Sequence, residues 1–502
     1  MFASDLNLPQ IFTEVSGKKL VINAMNSIQG NLNVKIGVKI LQSGTFTISM
    51  TEINGLESIP VILEDMQTGQ CRDLKSSDYT FSSDAVETLD RFVLHFQKQP
   101  IVWLGENSSN WNDANNWNSG QIPTSSDSVV VKQNGSGNLL HIKSQIQALC
   151  KSLVIMPNTS VTIDAGNALT VENVFLNNGR FEFFSDTTSS GTFICNGTES
   201  GNGTNVYKMA LSGKNINGVP SGRYWYITVP YDNLTASLFN LNKGHKVWKF
   251  DETSGSYIQI ISGNALLQRG MGYVLRLTEN DTLNFSSTNN QTLSSDFKFI
   301  ATRTGTIQKY RGFSLMGNPF SANLDFKQMT KTSNILSSIW YRSVNQSGEM
   351  IFDTYNSLLG IGTNNNGIKP VEGLITPMQS VWIYVTEDGS IDQYLSGRTT
   401  MLSHFFNQEL KDDNAIRFIR LELRNNKLSD ELILALHPKA LKEKDIYDTH
   451  KFEVGQVGIY THHDFDDFVI DAINDADSDV VIPVSCKCPD KEIAEMVIKE
   501  IS

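Results

Sequence analysis

One short pattern occurs twice, near opposite ends of the chain. Residues 20–26 read LVINAMN and residues 468–474 read FVIDAIN, roughly 450 residues apart. Downstream, VKIGVKILQSGTFTISMTEI (34–53) lines up with VVIPVSCKCPDKEIAEMVIKEI (480–501). Repeats that build solenoids have periods of about 20–50 residues. This one is therefore a module seen twice. The first copy lacks whatever matches 415–450, and the second lacks whatever matches 55–98. Unpaired strand edges are a liability in water. Two readings follow: the chain is cut from a longer array, or its C-terminal strands complete the N-terminal half, within the chain or in a neighbouring one.

Strand signals dominate elsewhere. KKLVINAM, VKIGVKIL, GTFTISMTEI and DRFVLHF are short, rich in β-branched and aromatic residues, and bounded by turn formers. The best helical pattern is DKEIAEMVIKEI (490–501). Its repeat partner at 44–53 reads as strand, so 490–501 is expected to be strand too.

Residues 103–123, WLGENSSNWNDANNWNSGQIP, place Trp103, Trp111 and Trp117 among Asn, Ser and Gly. Such a composition forms neither helix nor strand readily. After it, short apolar segments (LVI, VTI, LTV, VFL, FEF) recur between Asn, Gly, Asp and Pro. That spacing predicts a short right-handed β-helix over 101–205. Residues 206–400 carry aromatic segments such as RYWYITVPY, HKVWKFDE and SVWIYV. They predict an antiparallel β-rich domain. The expected fold is all-β and multidomain, with a β-sandwich module split between residues 1–98 and 408–502.

Net charge is −12 and there is no basic run, which argues against nucleic acid as a partner. No apolar stretch reaches the roughly 18 residues of a membrane helix, so no membrane span is expected. Five scattered cysteines do not make a disulfide scaffold.

The segments resemble the secreted, cell-surface, adhesin-like proteins of Bacteroidetes exported by the type IX route. W-x-G…W…N-W…G-x-x-P…D-S-V-V-V (103–131) resembles the opening of their β-helical repeats. RYWYITVP (223–230), GFSLMGNPFSANLDF (312–326) and TPMQSVWIY (376–384) resemble a recurring domain of that family, and the split module resembles its terminal sandwich. The resemblance implies an extracellular or outer-surface location and a structural or adhesive task. It also implies a surface glycan or another surface protein as partner. The chain shows no signal peptide and no sorting tail.

Candidate sites are few. Trp103, Trp111 and Trp117 offer stacking faces for a sugar, or else cap the β-helix, with Asn116, Asn118 and Gly120 turning the chain and Pro123 leading into the next strand. Capping is the preferred reading. Tyr224 and Tyr226 alternate with Trp225 and read as core. THHDFDD (461–467) has no zinc spacing and reads as an acidic turn. NDADSDV (474–480) places Val480 and Cys486 where a calcium loop needs Gly and Glu, leaving only loose surface Ca²⁺. Cys486 and Cys488 share a strand face without a second ligand pair. HExxH, P-loop and G-x-S-x-G patterns are missing from the sequence. No catalytic residue and no cofactor are expected.

Three functions remain. The first is a non-catalytic surface or adhesion protein. The second is a carbohydrate-binding or β-helical polysaccharide-active protein. It needs exposed aromatics beside carboxylates over 130–205, where Phe175, Phe181, Phe183, Phe184, Asp164, Glu172 and Glu182 stand, with Phe181 and Phe183 expected inside. The third is a fibre subunit that assembles by strand exchange.

Overall fold

The computed structural model describes residues 8–25, 32–56, 59–96, 100–133, 137–213, 223–287, 296–345, 348–393, 397–399, 416–474, 480–489 and 493–501. It is almost entirely β, as the sequence predicts.

The expected β-helix is a β-solenoid of about four turns. One parallel sheet stacks Ile101–Val102, Ser128–Val131, Gln147–Ile155, Ala168–Asn177 and Thr192–Cys195. The facing sheet stacks Leu140–Ile142, Ser160–Ile163, Arg180–Ser185 and Thr204–Leu211. Strands alternate their side chains, so every second residue enters the core. Ile142, Ile163, Phe183 and Tyr207 thus form one buried ladder. Two buried asparagines tie the facing sheets together: Asn177 Nδ2 donates to Asn205 Oδ1 at 2.9 Å.

The sequence boundary at 205/206 needs correction, because it cuts strand Thr204–Leu211. That strand pairs antiparallel with Asp281–Ser286. A single apolar core runs from Ile101 through the solenoid to Phe285. The parallel stack ends by pairing with an antiparallel strand from the next region.

Residues 223–399 are antiparallel, as predicted. A central sheet holds Phe313–Gly317, Ser380–Tyr384, Ser338–Val344, Met350–Asn356 and Ile361–Gly362. One face packs Met316, Ile339, Val381 and Ile383 with Phe299, Phe326 and Ile391. The other face meets a sheet of Arg223–Ile227, Tyr273–Leu277, Lys246–Asp251 and Ser256–Ile260 across Phe313, Leu315, Trp340, Trp382, Val274 and Phe250.

Glu252 fastens this region. Its buried carboxylate accepts from Gly312 N at 2.8 Å, Gly305 N at 3.0 Å and Thr304 N at 3.0 Å. Burial works against the charge, but the donated N–H groups outweigh it and hold the pKa below the usual glutamate value. Because the folded pKa is depressed, this stabilisation is present above the unfolded pKa. It is lost as pH falls through the folded one. Glu252→Gln is expected to cost about 2 kcal/mol at neutral pH, the scale of charge-assisted hydrogen bonds. It should also flatten the acid side of the stability–pH profile, read by urea melts at stepped pH.

The two terminal halves fold separately. Residues 8–96 form a sheet ordered Lys18–Leu20, Gln10–Val15, Leu32–Ile40, Val86–Phe96, Val61–Asp65, Gln70–Asp73, beside a Gly44–Ile48/Tyr79–Ser83 pair. Residues 416–501 form a sheet ordered Ser485–Lys487, Gly458–His463, Asp466–Ile473, Ser429–Leu436, Arg417–Arg424, Glu495–Ile501. The C-terminal segment is strand, as its repeat partner implies. Among the described residues no sheet draws strands from both ends. Among the described residues the C-terminal strands of the same chain therefore do not complete the N-terminal half, and each sheet keeps an open edge at the repeated segment.

The repeat itself is structural. Gln10 pairs with Lys39 and Phe12 with Gly37, while Gly458 pairs with Lys487 and Tyr460 with Ser485. Thr13 pairs with Leu20, and Thr461 with Phe468. Every pair is displaced by the same interval, 458 against 10. The turns agree too, with Ser16 at φ 51° and Asp464 at φ 54°.

Candidate functional site

The Trp loop is a lid on the solenoid. A short 3-10 turn, Ala114–Asn116, is capped by Asp113, whose side chain accepts from Asn115 N. Buried Asn116 accepts from the backbone N–H groups of Asn107 and Ser108 and donates to Asn110 O. Asn118 Oδ1 accepts from Val102 N at 2.7 Å, and Gly120 takes φ 64°. Trp103 and Trp111 each meet Trp117 edge-on, with ring centroids 5.0 and 4.9 Å apart. Their exposures are 1, 1 and 2% in chain order. No ring face is left for a ligand, which corrects the sugar-stacking reading; the rings are consumed in closing the core.

The motifs at 223–230, 312–326 and 376–384 converge in one knot. Asn318 N donates to Gln379 O, and Met378 N to Asn318 O. Thr228 N donates to Met378 O. Asn318 Nδ2 donates to Ala322 O and Ile375 O at 2.9 and 2.8 Å. A Cβ on Gly317 would lie 2.2 Å from that of Thr228, so only glycine admits the approach. Met378 is buried at φ 60°. These residues lock three distant segments together.

Beside the knot lies a cleft of about 540 Å³. The solenoid loop at Asp186–Ser190 forms one wall, strand Arg223–Ile227 another, and Arg342 with Met350 a third. Tyr224 and Tyr226 lie on the face opposite Trp225, as alternation requires. Trp225 joins the solenoid core, and Tyr226 joins the inter-sheet core near Trp382. Tyr224 remains 38% exposed, so the core reading of this triplet is corrected for Tyr224. The Arg223 guanidinium stacks 4.0 Å over Trp225, and its Nε has no hydrogen-bond partner among the described residues. Burial draws its pKa down. Arg342 is tied to Glu453 at 3.4 Å. Asp186 is the one carboxylate lining the cleft among the described residues. Burial opposes its charge, but Thr188 and Ser189 donate to it and hold its pKa below the ordinary value. A cationic fork beside aromatic faces suits binding of polar or anionic groups. Glycoside hydrolysis needs two carboxylates with one kept protonated, and this lining supplies neither. The sequence signal for the cleft was an arginine opening an aromatic strand; Asp186 and Arg342 gave none.

Other candidates resolve as follows. His462 pairs with Asp467 at 2.8 Å and His463 with Asp471 at 3.0 Å, each within one hairpin. Residues 475–479 of the acidic loop, and the boundary at 408, lie outside the described residues. Cys486 and Cys488 are free and exposed. No group of three metal-ligating side chains gathers among the described residues. Phe175, Phe181 and Phe183 are all buried and only Phe184 is exposed, so 130–205 carries no aromatic row. No helix among the described residues is long and apolar enough to cross a membrane.

No curated protein and no solved structure matches the chain. A family described as "Domain of unknown function (DUF8693)" matches residues 3–96 and 102–502. The two matched segments cover nearly the whole chain, and the chain belongs to this family.

Proposed function

We propose that this chain is a non-catalytic structural or adhesive protein that works outside the cell and presents β-rich modules to surface partners. The observation that carries this reading is the repeated hairpin module, kept in identical register on both sides of a solenoid–sandwich body. Repetition of a fold without repetition of a reactive constellation serves spacing and presentation. The aromatic motifs support it, since they are spent on packing. The type IX export class and its Bacteroidetes setting belong to the same proposal and rest on the sequence resemblance. An antibody raised against the chain should label intact cells of the organism that makes it. Labelling that appears only after the cells are permeabilised refutes the proposal.

A second reading, saccharide binding, is favoured by the cleft at Arg223, Tyr224 and Trp225. Acidic oligosaccharides titrated calorimetrically against the chain should bind, and Tyr224→Ala should weaken binding about tenfold, near 1.4 kcal/mol. Equal affinity in the variant removes the cleft from consideration.

A further inference from the structure

The two terminal halves are complementary. We infer that a second copy of this chain completes them by strand exchange, with residues 480–488 of one copy taking the place that Leu32–Ile40 holds against Val86–Phe96 in the other.

The strand orders carry the argument. The N-terminal sheet ends in Leu32–Ile40, Gln10–Val15 and Lys18–Leu20, and the C-terminal sheet begins with their repeat partners. Overlaid through these shared strands, the two orders join into one continuous sheet. Strands 429–436 and 417–424 extend it on one side, and 86–96, 61–65 and 70–73 on the other. Glu495–Ile501, paired in one half with Arg417–Arg424, overlaps the repeat position of Gly44–Ile48, paired in the other half with Tyr79–Ser83. Asp466–Ile473 keeps its three partners in this order: Gly458–His463, Ser429–Leu436 and the short Thr449–His450.

Exposed apolar side chains lie where the other half has a partner. Val469, Ile470 and Ile473 are 2, 0 and 7% exposed on the strand beside Ser429–Leu436, the first two packed with Leu359, Ile361 and Ile433. Their counterparts Val21, Ile22 and Met25 are 56, 86 and 47% exposed. On the other side, Leu32–Ile40 pairs along Val86–Phe96. Among the described residues its counterpart is paired only at Ser485–Lys487, and half-buried Ile482 and Val484 stand at the places of Val34 and Ile36, which are 7 and 8% exposed. Exchange trades one ladder for a near copy, with Pro483 lacking an N–H at the place of Lys35, so its net gain is the apolar side chains removed from water. The register preserves one of the two cations on Glu87: Lys39 binds it at 3.3 Å and Lys487 stands at its place, whereas Lys19, its other partner, is replaced by Asp467.

The register also makes the test specific. Thr88 faces Val38, whose repeat partner is Cys486. In a Cys71→Ser background, the Thr88→Cys variant should form a disulfide between its new thiol in one copy and Cys486 of another under copper–phenanthroline. The oxidant accepts the two electrons as both thiols lose their protons. Covalent dimer should rise with protein concentration and fall sharply when Cys486→Ser is added. Ser76→Cys, exposed on the same half, should stay monomeric. A Thr88→Cys chain that stays monomeric at every concentration while melting like the parent, or a yield unchanged by Cys486→Ser, overturns the inference. Light scattering of the unmodified chain provides an arm free of folding effects. Its mass should rise with concentration, and Ile482→Asp, at the place of buried Val34, should return it to a monomer. A parent chain that is monomeric throughout also overturns the inference.

Discussion

Trp117→Ala is expected to cost about 3–5 kcal/mol, the range for truncating a buried large aromatic. Trp117 is 2% exposed and is the ring that both Trp103 and Trp111 pack against. Its Nε1 donates to Trp111 O at 2.8 Å, so the backbone of the loop hangs on it too. Without it the first turn of the solenoid meets water, and the parallel stack loses its lid. Proteolysis should then cut first within 103–123, and thermal unfolding of the solenoid should begin below that of the parent. Trp117→Phe should recover part of the loss by filling the space without the hydrogen bond. A Trp117→Ala chain that melts with the parent would show that the lid carries no weight.

Phe452→Ala is expected to loosen the C-terminal half from the central domain, at a cost of about 3 kcal/mol. The ring lies 4.5 Å from Phe352, 5.0 Å from Phe313 and 5.3 Å from Trp382, centroid to centroid. It is a wedge from one module set into the aromatic core of another. Polar contacts flank it: Ser338 and Thr449 hydroxyls at 2.7 Å, and Trp340 Nε1 donating to His450 O at 2.9 Å. With the wedge gone these contacts open to water and weaken. Hydrogen exchange in 447–453 should accelerate, and calorimetry should resolve two transitions where the parent shows one. A single unshifted transition would mean that the polar contacts hold the modules without the ring.

Much of the architecture was legible because strands and solenoids write local periods into the chain. The sequence placed Phe181 and Phe183 inside, as found, but left Phe175 on the open face, where the structure buries it against Phe181 and Phe193. The repeat assigned strand to 495–501 against its own helical pattern. The cleft was less legible. Asp186, Arg223 and Arg342 come from three segments with no shared spacing, and only folding puts them on one rim. The boundary at 205/206 failed for a related reason: strand Thr204–Leu211 belongs to the solenoid on one edge and to Asp281–Ser286 on the other. No local pattern records a pairing across that distance.

By itself, the sequence determined the all-β class, the solenoid with its tryptophan lid, and the module that occurs twice, since each follows from side-chain alternation, turn chemistry and direct recurrence. The tertiary structure decided what those residues face. It buried the tryptophans beyond reach of a ligand, drew the Asn318 and Met378–Gln379 motifs into one knot, and kept the two terminal sheets apart with their apolar edges open. The physical reason is that alternation fixes which side of a strand is apolar, whereas the partner that covers that side is chosen by long-range packing.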